Sequence, residues 1–173
     1  MDYSKEQLEL LVSSENLQER LFAASYGVGL EKLVHDECES VRREVARQGY
    51  GLEVLVHDNA WRVREVVAQQ GYGLEFLVDD VAWEVRWEVA KQGCGLDVLI
   101  HDEDWHVRMV VAELGYGLET LINDMHEAVR IAAQQALKKQ QEMTLDDVLA
   151  DALEQSKRQE DNGRTIISEF EKE

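Results

Sequence analysis

Five arginines stand 22 residues apart in the sequence, each six residues after an aspartate. The pairs are Asp36 and Arg42, Asp58 and Arg64, Asp80 and Arg86, Asp102 and Arg108, and Asp124 and Arg130. Such guanidinium groups can bind anions or pair with carboxylates. On a helical wheel, Arg64 falls in the middle of the apolar arc formed by Ala60, Val63, Val67 and Ala68. Because an arginine that faces a core needs a partner, the sequence predicts a structural ladder of Asp–Arg pairs. Each pair can form within a unit or between consecutive units. The alternative to a structural ladder is an anion-binding site made from the same arginines.

Histidines form a second group with metal-binding side chains, and His35, His57 and His101 share one position of the repeat. Neighbouring helices pack ~8–10 Å apart, whereas zinc ligands lie ~2 Å from a single ion. Histidines one unit apart are therefore too distant to share an ion, and we predict no metal site.

Cys38 and Cys94 show neither a metal-binding spacing nor a disulfide framework, which favours a reduced, cytoplasmic setting.

Motifs of common catalytic sites are missing from the sequence. It contains no glycine-rich phosphate loop after a strand, no HExxH, no CxxC and no GxSxG. We therefore predict that the protein is not an enzyme, and that it uses no cofactor and no small-molecule substrate.

The charge balance excludes further classes of function. Thirty-six acidic residues against 18 basic ones give a formal net charge of −18, with no Lys/Arg cluster that could neutralise phosphates. Direct nucleic-acid binding is therefore not expected, and the charge instead favours solubility or a basic protein partner. No apolar run approaches the ~18 residues of a membrane span, and the acidic N-terminus does not resemble a signal peptide.

A 22-residue repeat organises most of the chain. Units begin at Gly27, Gly49, Gly71, Gly93 and Gly115. Within a unit, a short segment (Gly51–His57) predicts one or two helical turns with Leu52, Leu55 and Val56 inward. A longer segment (Asp58–Gln70) predicts a helix with the aspartate as N-cap and the next glycine as its end. We predict an N-terminal capping repeat at 1–26, five tandem repeats at 27–136 and an acidic helical tail at 137–173.

The repeated elements, Leu-x-x-Leu-Val-x-Asp followed by Val-Arg-x-x-Val-Ala, resemble the variant leucine-rich repeat and, more distantly, the HEAT repeat. The resemblance covers roughly residues 5–136. It implies an all-α fold, a right-handed α-solenoid of six units, each with a short and a longer helix. The similar HEAT repeats also carry an Asp/Arg ladder on their long helices.

Since stacking uses the recurrent residues, a binding surface is expected at positions that change between units. We predict that Trp87 points towards solvent, with Met109 and Val110 beside it, as in an interface hot spot. Packing of these residues against the tail is the alternative. The candidate partner-binding residues on the long helices are Arg62, Glu65, Glu84, Trp87, His106, Met109 and Val110.

Two further side-chain patterns have both a structural and a binding interpretation. Trp61, Trp83 and Trp105 share one repeat position, which predicts packing beside small residues, with a ligand-stacking row as the alternative. In the tail, Thr144 to Asp147 resembles a capping box that would start a helix. That helix would either cap the solenoid or dock on a partner.

The sequence leaves two functional hypotheses. The first is a non-catalytic protein–protein interaction module, a rigid helical scaffold that binds a protein partner through its variable surface positions. The second is an acidic inhibitor or nucleic-acid mimic that occupies the basic groove of a nucleic-acid-handling protein.

Overall fold

The computed structural model describes residues 4–144 and 149–150, in which every regular element is a helix. In chain order the helices are α1 (Lys5–Leu11), α2 (Leu17–Ser25), α3 (Leu30–Leu33), α4 (Glu39–Arg47), α5 (Leu52–Leu55), α6 (Trp61–Gln69), α7 (Leu74–Leu77), α8 (Trp83–Lys91), α9 (Leu96–Leu99), α10 (Trp105–Glu113), α11 (Leu118–Leu121) and α12 (residues 127–144). Each short helix and the long helix after it make one unit. The predicted all-α solenoid of six short-and-long helix pairs is therefore confirmed.

The helices form two layers. Consecutive long helices pack directly side by side, and the short helices α3, α5, α7 and α9 each contact the long helices before and after them. Consecutive short helices, in contrast, stay more than 8 Å apart, Cα to Cα. The long-helix layer is thus closed, whereas the short-helix layer has gaps between its members.

One apolar core runs through all the units. Leu55 and Val56 are buried as predicted, Leu52 is partly buried, and Val63 and Val67 of the long helix are fully buried. Their equivalents in the other units continue the same core. Each unit is therefore stabilised by burial against its neighbours rather than by a core of its own.

The two glycines of each unit perform different tasks. Gly71 adopts φ +72°; its N–H donates to the Ala68 carbonyl at 2.9 Å, and the Tyr72 N–H donates to the Val67 carbonyl at 3.2 Å. This is a Schellman motif, and it ends α6 at the predicted glycine. Gly73 is instead the N-cap of α7 at φ +62°, and a Cβ there would lie 2.7 Å from Val56 Cγ2. The second glycine therefore allows consecutive units to approach closely.

The prediction that the recurring aspartate is the N-cap of the long helix is wrong. The N-cap of α6 is Ala60, and its side chain makes no capping hydrogen bond. Asp58 lies two residues earlier, where its Oδ1 accepts a hydrogen bond from the Ala60 N–H at 2.8 Å. The aspartate thus shapes the turn before the helix, and its carboxylate also accepts hydrogen bonds from Arg42 of the preceding unit.

Helix α12 continues across residue 137, where the sequence predicted the start of the tail. Thr144, predicted to start a tail helix, instead lies within α12 and donates from Oγ1 to the Gln140 carbonyl at 2.8 Å. Residues 145–148 and 151–173 lie outside the described part, and with them the role predicted for the tail. None of the helices described is both long and apolar enough to span a bilayer.

Candidate partner-binding surfaces

The predicted ladder residues join consecutive units. Arg64 donates from Nε to Asp80 Oδ2 at 2.6 Å and from Nη2 to Asp80 Oδ1 at 2.7 Å. Its Nη1 donates to the carbonyl oxygen of Asp58, in its own unit, at 2.7 Å. The same arrangement holds for Arg20 with Asp36, Arg42 with Asp58, Arg86 with Asp102, and Arg108 with Asp124. The side-chain pairing therefore runs from each unit to the next, and the contact within a unit is to the backbone.

These contacts leave the guanidinium groups little capacity for an external anion. The Arg64 side chain is 12% exposed, and the hydrogen bond to Asp80 raises its pKa above the usual range. The hydrogen bond from Arg108 likewise lowers the pKa of Asp124. Arg130, in the last unit, donates to the Asp124 and Met125 carbonyls but to no carboxylate of the described residues. The geometry favours the structural interpretation of the ladder over an anion site.

The outer surface of the long helices, the long-helix face, carries the residues predicted to bind a partner. Trp87 is half-buried against the core, and Lys91 Nζ lies 4.2 Å from the centre of its ring. Met109 is also half-buried, and Val110 is only 5% exposed. Trp87 and Met109 are therefore partly accessible on this face, whereas Val110, a predicted binding residue, is buried in the core. Because the long helices pack in direct contact, residues just beyond the core arc fall into the crease between them.

The charged members of the predicted surface interact with one another. Arg62 lies over its own neighbour Trp61, 4.5 Å from the ring centre, and its Nη1 is 3.7 Å from Glu39 Oε1. Glu65 is half-buried, and its pKa is raised by desolvation and then by the nearby carboxylates of Glu88 and Glu84. These side chains form a connected surface network.

The sequence did not predict that Glu88 is buried. Its side chain is 4% exposed and accepts hydrogen bonds from Gln69 Nε2 at 3.0 Å and from Lys91 Nζ at 3.0 and 3.1 Å. Val66 and Val110 occupy the same repeat position and are buried as well. That alternation of apolar and acidic residues was visible in the sequence. A carboxylate is accommodated there because it finds an amide and an ammonium group.

Two of the three tryptophans that share a repeat position, Trp83 and Trp105, stack with histidines. His106 lies between Trp83, at 4.6 Å between ring centres, and Trp105, at 3.6 Å, and its Nδ1 is 2.9 Å from Asp104 Oδ1. Trp105 also stacks on His126 at 4.0 Å. His106, a predicted binding residue, is thus engaged within the solenoid, and the stacked rings act as packing elements.

The outer surface of the short helices, the short-helix face, presents more exposed apolar side chains. Val54, Phe76 and Val98 occupy the same position in consecutive units and are 43%, 66% and 49% exposed. Leu10, in the first unit, continues the row and is also exposed, whereas Lys32 and Thr120 occupy this position in the second and last units. We call Val54, Phe76 and Val98 the apolar row.

An acidic residue precedes each member of that position in the sequence. Five of these residues are exposed and form no ion pair with the described residues: Glu31, Glu53, Glu75, Asp97 and Glu119. We call them the acidic row. It runs alongside the apolar row, one carboxylate for each unit.

Open hollows separate the short helices. A hollow of about 390 Å³ between α5 and α7 is lined by His57, Phe76 and Val81 and reaches down to the Arg64–Asp80 pair. A second, of about 320 Å³, lies between α7 and α9 beside Val98. Across the described residues, no group of three or more His, Cys, Asp or Glu side chains is arranged to hold a metal ion. The short-helix face can therefore offer a partner apolar contacts, hollows and carboxylates.

The binding residues predicted from the sequence all lie on the long helices, so the short-helix face was not among the predicted surfaces. The position of Leu10, Lys32, Val54, Phe76, Val98 and Thr120 varies between units. That is the same signal that pointed to Trp87. Residues that vary between units therefore occur on both the long-helix face and the short-helix face. This variation does not show on which face the side chains are exposed to solvent.

A scan against protein-family models finds no matching family, and a search of curated proteins finds no matching sequence. The resemblance to the variant leucine-rich and HEAT repeats thus rests on the repeat pattern.

Proposed function

We propose that the protein is a non-catalytic protein-interaction module that binds its partner on the short-helix face. The observation that carries this proposal is the apolar row of Val54, Phe76 and Val98, exposed in three consecutive units. Single exposed apolar residues are ordinary. A row of three along one face, two of which line open hollows, offers a partner a larger apolar surface.

The solenoid suits this role because its stability does not depend on these positions. The ladder and the buried leucines and valines join the units, while the apolar row contributes little to the core. A rigid array can therefore present different side chains along one line without loss of fold.

The long-helix face is the competing surface, as predicted from the sequence. Trp87 and Met109 remain chemically suitable for an interface, but they are half-buried and Trp87 is already covered by Lys91. The greater exposure of Phe76 favours the short-helix face.

Paired variants test which surface binds. The immobilised full-length chain is incubated with a lysate of its source cells, and the proteins it retains are compared with those retained by a Phe76→Ser, Val98→Ser double variant. We expect this variant to lose a specific partner while its helical circular dichroism and melting temperature are unchanged.

The matched control is the Trp87→Ala, Met109→Ala double variant, which should retain that partner. If the control loses the partner and the Phe76 variant keeps it, binding occurs on the long-helix face. If neither variant changes what is retained, the apolar row is not a binding surface and the proposal is wrong.

A second candidate function is the acidic inhibitor or nucleic-acid mimic, which the acidic row favours. This hypothesis expects a nucleic-acid-handling protein as partner, displaced by free duplex DNA or RNA and released steeply as salt rises. It expects no effect of the serine substitutions at Phe76 and Val98. Washing the retained proteins at low and then high salt separates the two functions. In both cases we propose a cytoplasmic setting, a protein partner, and no direct contact with nucleic acid or membrane.

A further inference from the structure

We propose that the hollow between α5 and α7 is the anchor site of the short-helix face and that it binds an arginine side chain of the partner protein. This inference rests on the proposed function and specifies the residue by which the partner is recognised. It combines three features of the hollow: an open apolar wall, one unpaired carboxylate, and a composition that neither neighbouring unit shares.

The wall of the hollow is apolar and open to solvent. Phe76 is 66% exposed and Val81 is 90% exposed, and both line the hollow of about 390 Å³. The ring of His57 meets the Phe76 ring at 65°, with 6.2 Å between the ring centres, so the two rings are not stacked. A large part of the aromatic ring is therefore available to a partner. The volume is at the lower end of the ~300–1,000 Å³ of ligand pockets, which suits a single side chain.

The hollow carries an excess of negative charge. Its charged lining residues are Asp58, Arg64, Asp79 and Asp80. Asp80 is paired with Arg64, and Asp58 is paired with Arg42. Asp79 is exposed and forms no ion pair or side-chain hydrogen bond with the described residues. One carboxylate is thus free for a cation of the occupant, and the chain's formal net charge of −18 attracts such a cation.

An arginine side chain matches both the apolar wall and the carboxylate. Its aliphatic stem packs on apolar surface while its charged end remains near water. The planar guanidinium stacks on aromatic rings and donates two hydrogen bonds to one carboxylate, whereas the ammonium of lysine is a strongly hydrated point charge. The chain itself makes both contacts elsewhere, since Arg62 lies over Trp61 and the ladder arginines hold carboxylates at two points. We therefore place the stem on Val81 and the guanidinium at Phe76 and Asp79.

The three residues that make this site occur together in one unit. The corresponding residues are Val54, His57 and Asn59 in the preceding unit and Val98, His101 and Glu103 in the following one. Phe76, Asp79 and Val81 therefore provide an aromatic ring, a carboxylate and an apolar group where both neighbouring units have a smaller apolar side chain, an imidazole and a polar group. A repeat array can vary such surface positions without loss of the fold. The hollow between α5 and α7 is thus chemically distinct from the one between α7 and α9.

The test uses the full-length, isotope-labelled chain and three probes, the N-acetyl amides of arginine, citrulline and lysine. Citrulline has nearly the shape of arginine but carries no charge. Binding is followed through the backbone amide shifts in two-dimensional NMR spectra at about pH 7.5, where histidines are mostly neutral. We expect the arginine probe to shift the amides of Phe76, Asp79 and Val81. It should bind about fivefold more tightly than citrulline, as one exposed ion pair allows, and more tightly than lysine.

Matched variants show where the arginine probe binds. The triple variant Phe76→Val, Asp79→His, Val81→Glu gives the hollow the residues of the following unit and keeps the formal net charge at −18. It should weaken the arginine probe about tenfold, because the ring contact and the ion pair are both lost. Asp79→Asn alone should weaken it about fivefold. Asp97→Asn removes the same charge at an exposed position that lines neither hollow, and it should weaken binding less than about twofold.

Four results would overturn the proposal once melting temperatures show that every variant is folded. Equal affinity for arginine and citrulline means that the hollow does not select a cation. Equal or tighter binding of lysine means that the guanidinium is not recognised. Unchanged binding to the triple variant means that the site lies elsewhere, and equal weakening by Asp79→Asn and Asp97→Asn means that the probe responds only to net charge. In each case the Phe76→Ser, Val98→Ser variant can still lose a protein partner, so failure of this inference is distinguishable from failure of the proposed function.

Discussion

Arg64 and Asp80 stand 16 residues apart in consecutive units and form a two-point contact, with Nε 2.6 Å from Oδ2 and Nη2 2.7 Å from Oδ1. The Asp80 Oδ1 atom also accepts the Ala82 N–H at 2.9 Å. One carboxylate thus fixes both the turn of its own unit and the distance to the preceding one. The Arg64–Asp80 contact therefore joins the long helix of one unit to the turn of the next.

Replacing Asp80 with alanine should destabilise the protein by about 3 kcal/mol, because it leaves the buried Arg64 guanidinium without a counter-charge. The neighbouring Asp79 provides the control, since it is exposed and Asp79→Ala changes the net charge equally. That control should cost less than ~0.5 kcal/mol. Urea unfolding followed by circular dichroism measures both; similar losses for the two variants would contradict the ladder's structural role.

The glycine pair predicts unequal effects of alanine at adjacent turns. Gly71→Ala requires a left-handed backbone but meets no atom within 4 Å, so it should cost ~1–2 kcal/mol. Gly73→Ala has the same backbone cost and also places a methyl group 2.7 Å from Val56 Cγ2. Overpacking adds roughly 1–3 kcal/mol. Thermal or urea unfolding should therefore rank Gly73→Ala as clearly the more damaging change.

The ladder predicts a loss of stability in acid. The hydrogen bond from Arg108 lowers the pKa of Asp124 in the folded state, below the ~3.9 of an unfolded chain. A lowered pKa means that the stabilisation is complete above the unfolded value and disappears as the pH falls through the folded one. The free energy of unfolding, measured in urea from about pH 6 to pH 2, should fall towards the acid end.

Asp124→Asn is the control for this pH dependence. It should be less stable than the wild type above about pH 5, and the difference should shrink towards pH 2 because the wild-type carboxyl becomes protonated. A difference that stays constant with pH would show that the charge of Asp124 is irrelevant to stability.

Glu88 tests whether the buried carboxylate of the long-helix face is needed for the fold. Glu88→Leu places an apolar side chain where Val66 and Val110 occur in neighbouring units. Gln69 and Lys91 are exposed enough to return to water. Replacing a buried ionic group with a well-packed apolar one is often neutral or stabilising. We expect the free energy of unfolding, measured in urea, to change by less than ~1 kcal/mol. A loss above ~3 kcal/mol would show instead that the Glu88 carboxylate is needed for the stability of the fold.

The sequence predicted the ladder residues but not the direction of their pairing. Arg64 has one aspartate six residues before it and another 16 residues after it, and both spacings were compatible with a contact. In the structure, Arg64 Nη1 donates to the backbone carbonyl of Asp58, and Arg64 Nε donates to the carboxylate of Asp80. The wrong N-cap prediction has a local cause: α6 begins at Trp61, so Asp58 lies two residues before the N-cap Ala60, whose N–H its Oδ1 accepts.

The candidate site was harder to predict than the fold. A helical wheel correctly separated Val63 and Val67 from the outer surface, but it treats a helix as isolated. Trp87 is half-buried on the closely packed long-helix layer, whereas Phe76 is exposed on the short-helix layer, whose consecutive members lie more than 8 Å apart. The exposure of these side chains depends on the distance between neighbouring units, and the sequence of a single unit does not determine that distance.

The sequence by itself determined the alternation of short and long helices, the glycines that end them and the residues of the core. These depend on backbone preferences and apolar periodicity within about 22 residues, so the pattern of one unit is sufficient. The tertiary structure decided which unit supplies each partner and which of the two faces remains open. Those properties arise from the stacking of separate units, since close packing closes the long-helix layer and leaves gaps between the short helices.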